Sequence, residues 1–528
     1  MVLTRKKLPI GIQNLSEIIS EGQYYVDKTP LVWQLIQQNK YFFLSRPRRF
    51  GKSLLIDTIK ELFEGNEALF KGLYVHDKWD WSIRFPVLHI SFSDGGLDSR
   101  ADLERRMALI LHENALRLDV PWPDLGHAAP SEPQADPVAG LRKLIRNVRE
   151  KHGQRVVVLV DEYDKPILDN IDNSAVAMAM RDCLRGFYSV IKGADADIRF
   201  AFLTGVSKFS KVSLFSGLNN LRDITVSPEY SAICGYTAQD LATVFAPELD
   251  GLDLDEIRHW YNGYNWLGEP VYNPYDLLLL FQERKFAPYW FESGTPGFLI
   301  KMLTERKAWL PSLGQLEVPA SLLASFDVDN ISTTALMFQA GYLTLDGERR
   351  VNGKYYYKLR FPNEEVRQSL FGSLLEVWTA DASAQSRYSI SLFELLEAND
   401  LARLQGLFQS FFASIPYHWH VNNPIAHYEG YYASVFYAYF AAAGLDVRVE
   451  DATSLGRVDM TVLMPRRVVL FEFKVVEQGA QGNALQQIKD KRYADKYRAA
   501  GGQIYMVGVE FSTATRNVVG FEVEKEVG

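Results

Sequence analysis

Between residue 41 and about residue 206, short apolar runs alternate with longer amphipathic stretches, the pattern of strands joined by helical crossovers. It predicts a parallel α/β sheet. Strands are expected at Tyr41–Ser45, Pro86–Phe92, Arg155–Val160 and Ile198–Val206, and helices at Lys52–Phe63, Ala101–Leu118 and Val138–Lys151. Prolines crowded between Pro121 and Pro137 mark an exposed loop. After Ser227 the pattern becomes mostly helical and rich in aromatics, with Trp260, Tyr261, Tyr264, Trp266, Tyr272 and Tyr275 close together, as core residues usually are. Residues 331–370 read as a helix, a strand pair (Gly341–Leu345 and Tyr355–Phe361) and a helix from Asn363. A winged helix and a bare interdomain hairpin share that order. From about residue 425 the expected elements are a helix (Glu429–Ala443), three strands (Leu445–Glu450, Arg457–Met464, Val468–Val475), a helix (Asn483–Tyr497) and a strand (Gln503–Glu510).

A chain of 528 residues, 47% of them apolar, exceeds what one core fills, since single cores stop growing near 250–300 residues. The pattern divides it into 1–235, a helical middle region 236–370, and 371–528 with a core at about 425–515. A net charge of -8 argues against general coating of nucleic acid, which depends on Lys and Arg neutralising phosphates. Contact with nucleic acid would need local basic patches. Arg46–Lys52 and Lys489–Arg498 are the candidates, with a solvated charged face as the competing reading. Two cysteines, Cys183 and Cys234, are too few for a disulfide framework or a Cys-based zinc site and read as buried thiols. The first ten residues carry no apolar run after their basic residues, and no run of 18 uncharged apolar residues occurs, so a cytoplasmic location without membrane contact is expected.

Candidate chemistry starts at Arg46-Pro47-Arg48-Arg49-Phe50-Gly51-Lys52-Ser53, which follows a strand and opens a helix as a phosphate-cradling loop must. Gly51 lets the backbone approach phosphate, Lys52 would reach it as a point charge, and Ser53 would place its hydroxyl on Mg²⁺. Arg46 stands where G-x-x-x-x-G-K-[ST] has its first glycine. The run Val156–Val160 ends in Asp161-Glu162, where a carboxylate is needed for the Mg²⁺ shell (Asp161) and a base for the attacking water (Glu162). Ile198–Val206 ends at Thr204-Gly205-Val206-Ser207-Lys208, where a polar side chain could sense a terminal phosphate, or where a strand simply turns.

A second constellation lies near the C-terminal end. Asp459 falls on one predicted strand and Glu472-Phe473-Lys474 on the next; alternation puts Glu472 and Lys474 on one side and Phe473 on the other. Asp459 and Glu472 would hold Mg²⁺ or Mn²⁺, while Lys474 orients water and offsets charge, as phosphodiester hydrolysis requires. Glu429 could add a third carboxylate and Gln487 a contact to phosphate or to metal-bound water. A surface cross-strand pair is the bland alternative, but Val468–Phe473 is nearly all apolar, and a buried carboxylate is costly unless paired or metal-bound. His418 and His420 lack a third ligand nearby in sequence.

The chain resembles the bacterial AAA-ATPase-like proteins that carry a PD-(D/E)XK nuclease-like C-terminus. The matching stretches are Leu8-Pro9-Ile10-Gly11-Ile12, Tyr25-Val26-Asp27-Lys28-Thr29, Arg46 to Ser53, Asp161 to Pro166, Tyr272-Asn273-Pro274 and Ser293-Gly294-Thr295-Pro296. The resemblance implies an α/β multidomain fold: an N-terminal P-loop NTPase sheet, a helical middle with or without a winged helix, and a restriction-endonuclease-like core. It makes Arg46 a family feature, and it assigns Asp459 and Glu472 as the two acids and Lys474 as the lysine, with Val458 in place of the motif's proline. Relatives with a Gln and a Tyr on one face of the last helix would need them about four apart; Gln487 and Tyr493 are six apart. ATP and Mg²⁺ (or Mn²⁺) are the cofactors implied, DNA the expected partner with RNA as the alternative, and a homo-oligomer is compatible with the architecture. The leading expectation is a nuclease gated by ATP. The alternative is a signal-type NTPase switch whose C-terminal domain binds nucleic acid or protein without cutting. Arg181, Arg185 and Arg222 are candidates for an arginine finger.

Overall fold

The structure is a computed structural model that describes residues 4–121, 136–208, 214, 218, 220–294, 297–305, 310–323, 331–379, 382–415, 429–499 and 501–526. The chain forms two compact units, one of Met1–Leu299 with Leu316–Asn363 and one of Ile300–Gln315 with Glu364–Gly528.

In the first unit β1 (Tyr41–Ser45), β2 (Val87–Ser91), β3 (Val156–Asp161), β4 (Ile198–Gly205) and β5 (Arg222–Asp223) line up as β2-β3-β4-β1-β5, all pairs parallel. β1 and β3 are buried along their whole length, which is why they read as unbroken apolar runs and not as alternating ones. Helix α1 (Lys52–Glu64) leaves β1 through the loop and packs on β2, β3 and β4. Helices α2 (Arg100–Arg117), α3 (Pro137–His152) and α4 (Ser174–Gly193) pack on one another, and each opens on a side chain, Ser99, Asp136 or Asn173, that accepts a first-turn N–H. The predicted strands and helices here lie within one residue of the observed ones; β5 and helix α4 are additional, and residues 122–135 of the proline-rich loop lie outside the described residues. Tyr24 and Val26 from the start of the chain share a core with Tyr261, Tyr272, Leu277 and Phe281. The aromatic stretch is therefore core for the N-terminal segment.

A second, antiparallel sheet in this unit has β6 (Glu317–Pro319), β7 (Thr344–Val351) and β8 (Lys354–Arg360) in the order β6-β8-β7. Helix α5 (Thr333–Ala340) precedes the hairpin and ends at Gly341, φ 96°. Asn352 and Gly353, φ 48° and 78°, make the two-residue turn that matches strand twist. β7 runs to Val351 and not to Leu345 as predicted: its outer half, Gly-Glu-Arg-Arg, has no apolar alternation and is held by pairing with β8.

The second unit is built on β9 (Asp446–Thr453), β10 (Gly456–Met464), β11 (Arg467–Val476), β12 (Gln503–Ser512) and β13 (Asn517–Lys525), ordered β13-β12-β11-β10-β9. Only β11 and β12 pair in parallel. Helix α6 (Glu364–Thr379) packs on α7 (Glu429–Ala442), which lies against β9, β10 and β11. Helix α8 (Asn483–Asp490) lies on β11 and β12. The predicted helix Asn483–Tyr497 is corrected here. It stops at Asp490, the chain turns through Arg492 at φ 50°, and a short helix follows at Asp495–Arg498. No helix among the described residues is long and apolar enough to cross a membrane.

Candidate functional sites

The loop from β1 to α1 is anchored from inside. Arg46 is fully buried; its guanidinium donates to the carbonyls of Ser45 and Thr225 (both 2.9 Å) and Tyr230 (3.0 Å) and lies 3.8 Å from the Trp266 ring. Burial pushes its pKa down to about 10. Phe50 is wedged between Tyr264 and Trp266, the Arg48 carbonyl accepts from Trp290 Nε1 at 3.1 Å, and Pro47 meets Gly341, where an added Cβ would fall 2.7 Å from Pro47 Cβ. Arg46 and Pro47 do not line the cavity beside the loop. Their side chains shape the loop from behind.

The cavity, about 520 Å³, is lined by Arg48, Arg49, Phe50, Gly51, Lys52, Ser53 and Glu162 together with Pro9, Gly11, Tyr25, Lys28 and Tyr275. The separated stretches around residues 9, 26, 50, 162 and 274 thus meet at one place. Arg49 and Gly51 are left-handed (φ 66° and 85°), a curl of the kind that gathers backbone N–H groups into an anion-binding concavity. A Cβ on Gly51 would meet nothing within 4 Å, so its backbone conformation, and not space, calls for glycine. Arg49 lies 4.7 Å from the Tyr275 ring. The Lys52 ammonium donates to the carbonyls of Arg46 (3.0 Å) and Pro47 (2.8 Å); burial lowers its pKa, with Asp161 as the largest opposing influence.

Across the sheet, Asp161 ends β3 and accepts from Thr204 Oγ on β4 at 2.8 Å and from the Glu162 N–H at 3.0 Å. In the segment Thr204–Lys208, read either as a phosphate sensor or as a strand-ending turn, the Thr204 hydroxyl donates to this carboxylate. Glu162 is held at φ 52°, a conformation a non-glycine residue adopts at some cost and one that recurs at functional sites. Burial first, and then the neighbouring Asp161 charge, raise its pKa, the shift a general base requires. The buried Asp164, not among the expected site residues, accepts from Ser207 N–H (2.6 Å), Ser207 Oγ (2.5 Å) and Val206 N–H, fixing the turn after β4. Its signal was the run Asp161 to Pro166, in which a second acid follows at a fixed distance. A hydroxyl, two carboxylates and an ammonium are oxygen and charge donors suited to a nucleotide with Mg²⁺. Of the finger candidates, Arg181 and Arg185 pair with Asp182, and Arg222 with Gln38 and Glu229.

In the second unit, the alternation expected of β11 is observed. Phe471 and Phe473 pack on Phe440 and Phe436 of α7, with centroids 5.3 and 5.0 Å apart. Glu472 and Lys474 face the other way, toward α8. Glu472 is fully buried; its carboxylate accepts from Gln487 Nε2, lies 3.6 Å from Lys474 Nζ, and approaches the Asp459 N–H at 3.5 Å. Asp459 accepts the Phe473 N–H at 2.8 Å, locking β10 to β11 at the site. Gly508 on β12 stands beside Glu472 in register, and a Cβ there would fall 2.9 Å from Leu485 Cα. Glycine at 508 therefore lets α8 lie close enough for Gln487 to reach Glu472.

Tyr493, six residues beyond Gln487, joins this group. The break after Asp490 swings it back, near enough to Glu472 for that charge, after burial, to raise its pKa. Glu510, opposite Lys474 in register, accepts the N–H groups of Gln481 and Asn483 and caps α8. Glu429 opens α7, and its side chain lies outside the described residues, as do His418 and His420. Among the described residues no cluster of three acidic, His or Cys side chains could hold a metal. Two carboxylates from neighbouring strands still suit Mg²⁺ or Mn²⁺, because Mg²⁺ keeps several waters and takes one or two carboxylates.

Residues 9–215 match the family model described as "Predicted AAA-ATPase", and residues 427–521 match that of the PD-(D/E)XK nuclease superfamily. The chain is 59% identical over 524 residues, 99% of either protein, to the "Uncharacterized protein in vnfD 5'region" of Azotobacter chroococcum mcd 1. Among solved structures it is similar to the Walker-type ATPase paby2304 of Pyrococcus abyssi, at 11% identity and a TM-score of 0.33 over 65% of this chain and 94% of that one. With ATPase-like and nuclease-like domains each matched around the sites described, the chain belongs to the AAA-ATPase-like proteins that carry a C-terminal PD-(D/E)XK nuclease domain.

Proposed function

We propose that the protein binds and hydrolyses ATP at the Lys52 loop and cleaves DNA at the Asp459–Glu472–Lys474 site, with nucleotide controlling cleavage. The observation that carries this reading is the fully buried Glu472 carboxylate, which accepts from Gln487, lies 3.6 Å from Lys474 Nζ and approaches the Asp459 N–H on the neighbouring strand. Asp459 and Glu472 would hold Mg²⁺ or Mn²⁺, which when bound lowers the pKa of a water and stabilises charge on the scissile phosphate. Lys474 contributes a cation beside them to orient that water, and Gln487 fixes the Glu472 carboxylate. At the other site Ser53 and Asp161 would take Mg²⁺ with ATP, Lys52 would turn from loop carbonyls to phosphate, and Glu162 would accept a proton from water.

A switch that binds without cutting is the second reading. It is favoured by the fact that Gln487 and Lys474 already give Glu472 polar partners, which is what an inert buried acid needs. Linear, circular and single-stranded DNA incubated with the protein in Mg²⁺ or Mn²⁺ separates the two. Cleavage by the wild type that falls about 100-fold or more in Lys474→Ala, at unchanged melting temperature, supports the nuclease. Intact DNA with the wild type, or equal cleavage by the variant, sinks it.

A further inference from the structure

Most of the charge in the basic segments nominated from sequence is taken up within the fold, and Arg48, Arg49 and Lys491 are the exposed cations that remain there. Arg46 and Lys52 are buried on carbonyls, while in the stretch 489–498 Lys489 pairs with Glu524, Arg492 with Asp495, Lys496 with Asp451 and Arg498 with Glu526. The β7–β8 hairpin of the first unit is different. Thr344–Arg360 carries five cations, Arg349, Arg350, Lys354, Lys358 and Arg360, against two acids, Asp346 and Glu348, in a chain of net charge -8. Arg349 is held by Glu317, and Arg360 by Asp346 and three carbonyls, so these two are structural.

Arg350, Lys354 and Lys358 are exposed, and among the described residues neither lysine forms an ion pair. Lys354, Tyr356 and Lys358 alternate onto one face of β8, and Arg350 stands 5.7 Å from the ring of Tyr355, which is 48% exposed on the other face. Cations interleaved with accessible rings are what a single strand of nucleic acid requires: phosphates for the charges and base faces for stacking.

We propose that this hairpin is a nucleic-acid-binding element that grips the sugar-phosphate backbone through Arg350, Lys354 and Lys358 and stacks bases on Tyr355 and Tyr356. It rests on the proposed action on DNA for its setting, but it requires no cleavage. The test is fluorescence anisotropy of the full chain with labelled single-stranded and duplex oligonucleotides in EDTA across a salt series. The triple variant Arg350→Gln/Lys354→Gln/Lys358→Gln should bind about 10-fold or more weakly at low salt, with the slope of log K against log salt reduced by roughly 2 to 3. A control carrying Lys71→Gln and Lys78→Gln, exposed lysines elsewhere on the unit, should bind like the wild type. Unchanged affinity and slope in the triple variant, or equal loss in the control, overturns the assignment. Because binding is read without metal, a wild type that binds through the hairpin but never cuts refutes the nuclease alone, and one that cuts while the triple variant binds normally refutes the hairpin alone.

Discussion

Arg46 shows how one side chain can change meaning between sequence and fold. In sequence it is a cation in a phosphate-loop pattern, at the position of a glycine. In the structure its charge is taken up by Ser45, Thr225 and Tyr230 carbonyls and the Trp266 ring. Restoring the glycine of the common pattern should therefore weaken the protein: Arg46→Gly strands three buried acceptors and opens a cavity, and is expected to cost about 3 kcal/mol or more in chemical denaturation. Stability equal to the wild type would contradict this role. Nothing near Arg46 in sequence could have disclosed it, because the Thr225 and Tyr230 carbonyls lie some 180 residues downstream and no local pattern reports a carbonyl that needs a donor. The placing of Lys52, Ser53, Asp161 and Glu162 was legible for the opposite reason: strand end, loop and helix start are local signals.

At the scale of elements, β11 followed its pattern. The apolar residues Phe471 and Phe473 face α7, and Glu472 and Lys474 face α8. The helix over them departed from its pattern, since periodicity alone continues through Lys491 and Arg492, whereas the positive φ of Arg492 ends it and brings Tyr493 to Gln487. A spacing of six, which a straight helix would spread over different faces, falls here across a break in the helix. The contact between α8 and the sheet depends on Gly508, so Gly508→Ala is expected to lift α8, part Gln487 from Glu472, and cost about 1–3 kcal/mol of stability. Cleavage measured well below the melting transition should fall far more than stability does; a variant that cuts at the wild-type rate would show that Gln487 is not needed over Glu472. Strands β5 and β6, two and three residues long, were missed because pairing partners, and not their own patterns, make them strands, whereas β13 carries a legible alternation at Phe521-Glu522-Val523-Glu524 that the sequence reading passed over. In the hairpin the Asn352-Gly353 turn is a local signal, yet the charged outer half of β7 is not.

The whole molecule places one candidate site in each of its two units. The loop at Lys52 is buttressed by residues far along the chain, with Gly341 against Pro47, Trp290 on Arg48, and Gln339 accepting the Lys208 N–H at 3.0 Å. A change at the phosphate loop therefore reaches α5 and the hairpin base directly. If nucleotide at the first site governs cleavage at the second, the coupling is a free energy, and couplings between sites commonly change function about 5- to 150-fold. The measurement is the rate of DNA cleavage with and without ATP, at fixed free Mg²⁺, for the wild type and for Lys52→Ala. The account predicts that ATP shifts the wild-type rate within that range and leaves the Lys52→Ala rate unmoved. A wild-type rate indifferent to ATP, or the same response in the variant, would contradict it.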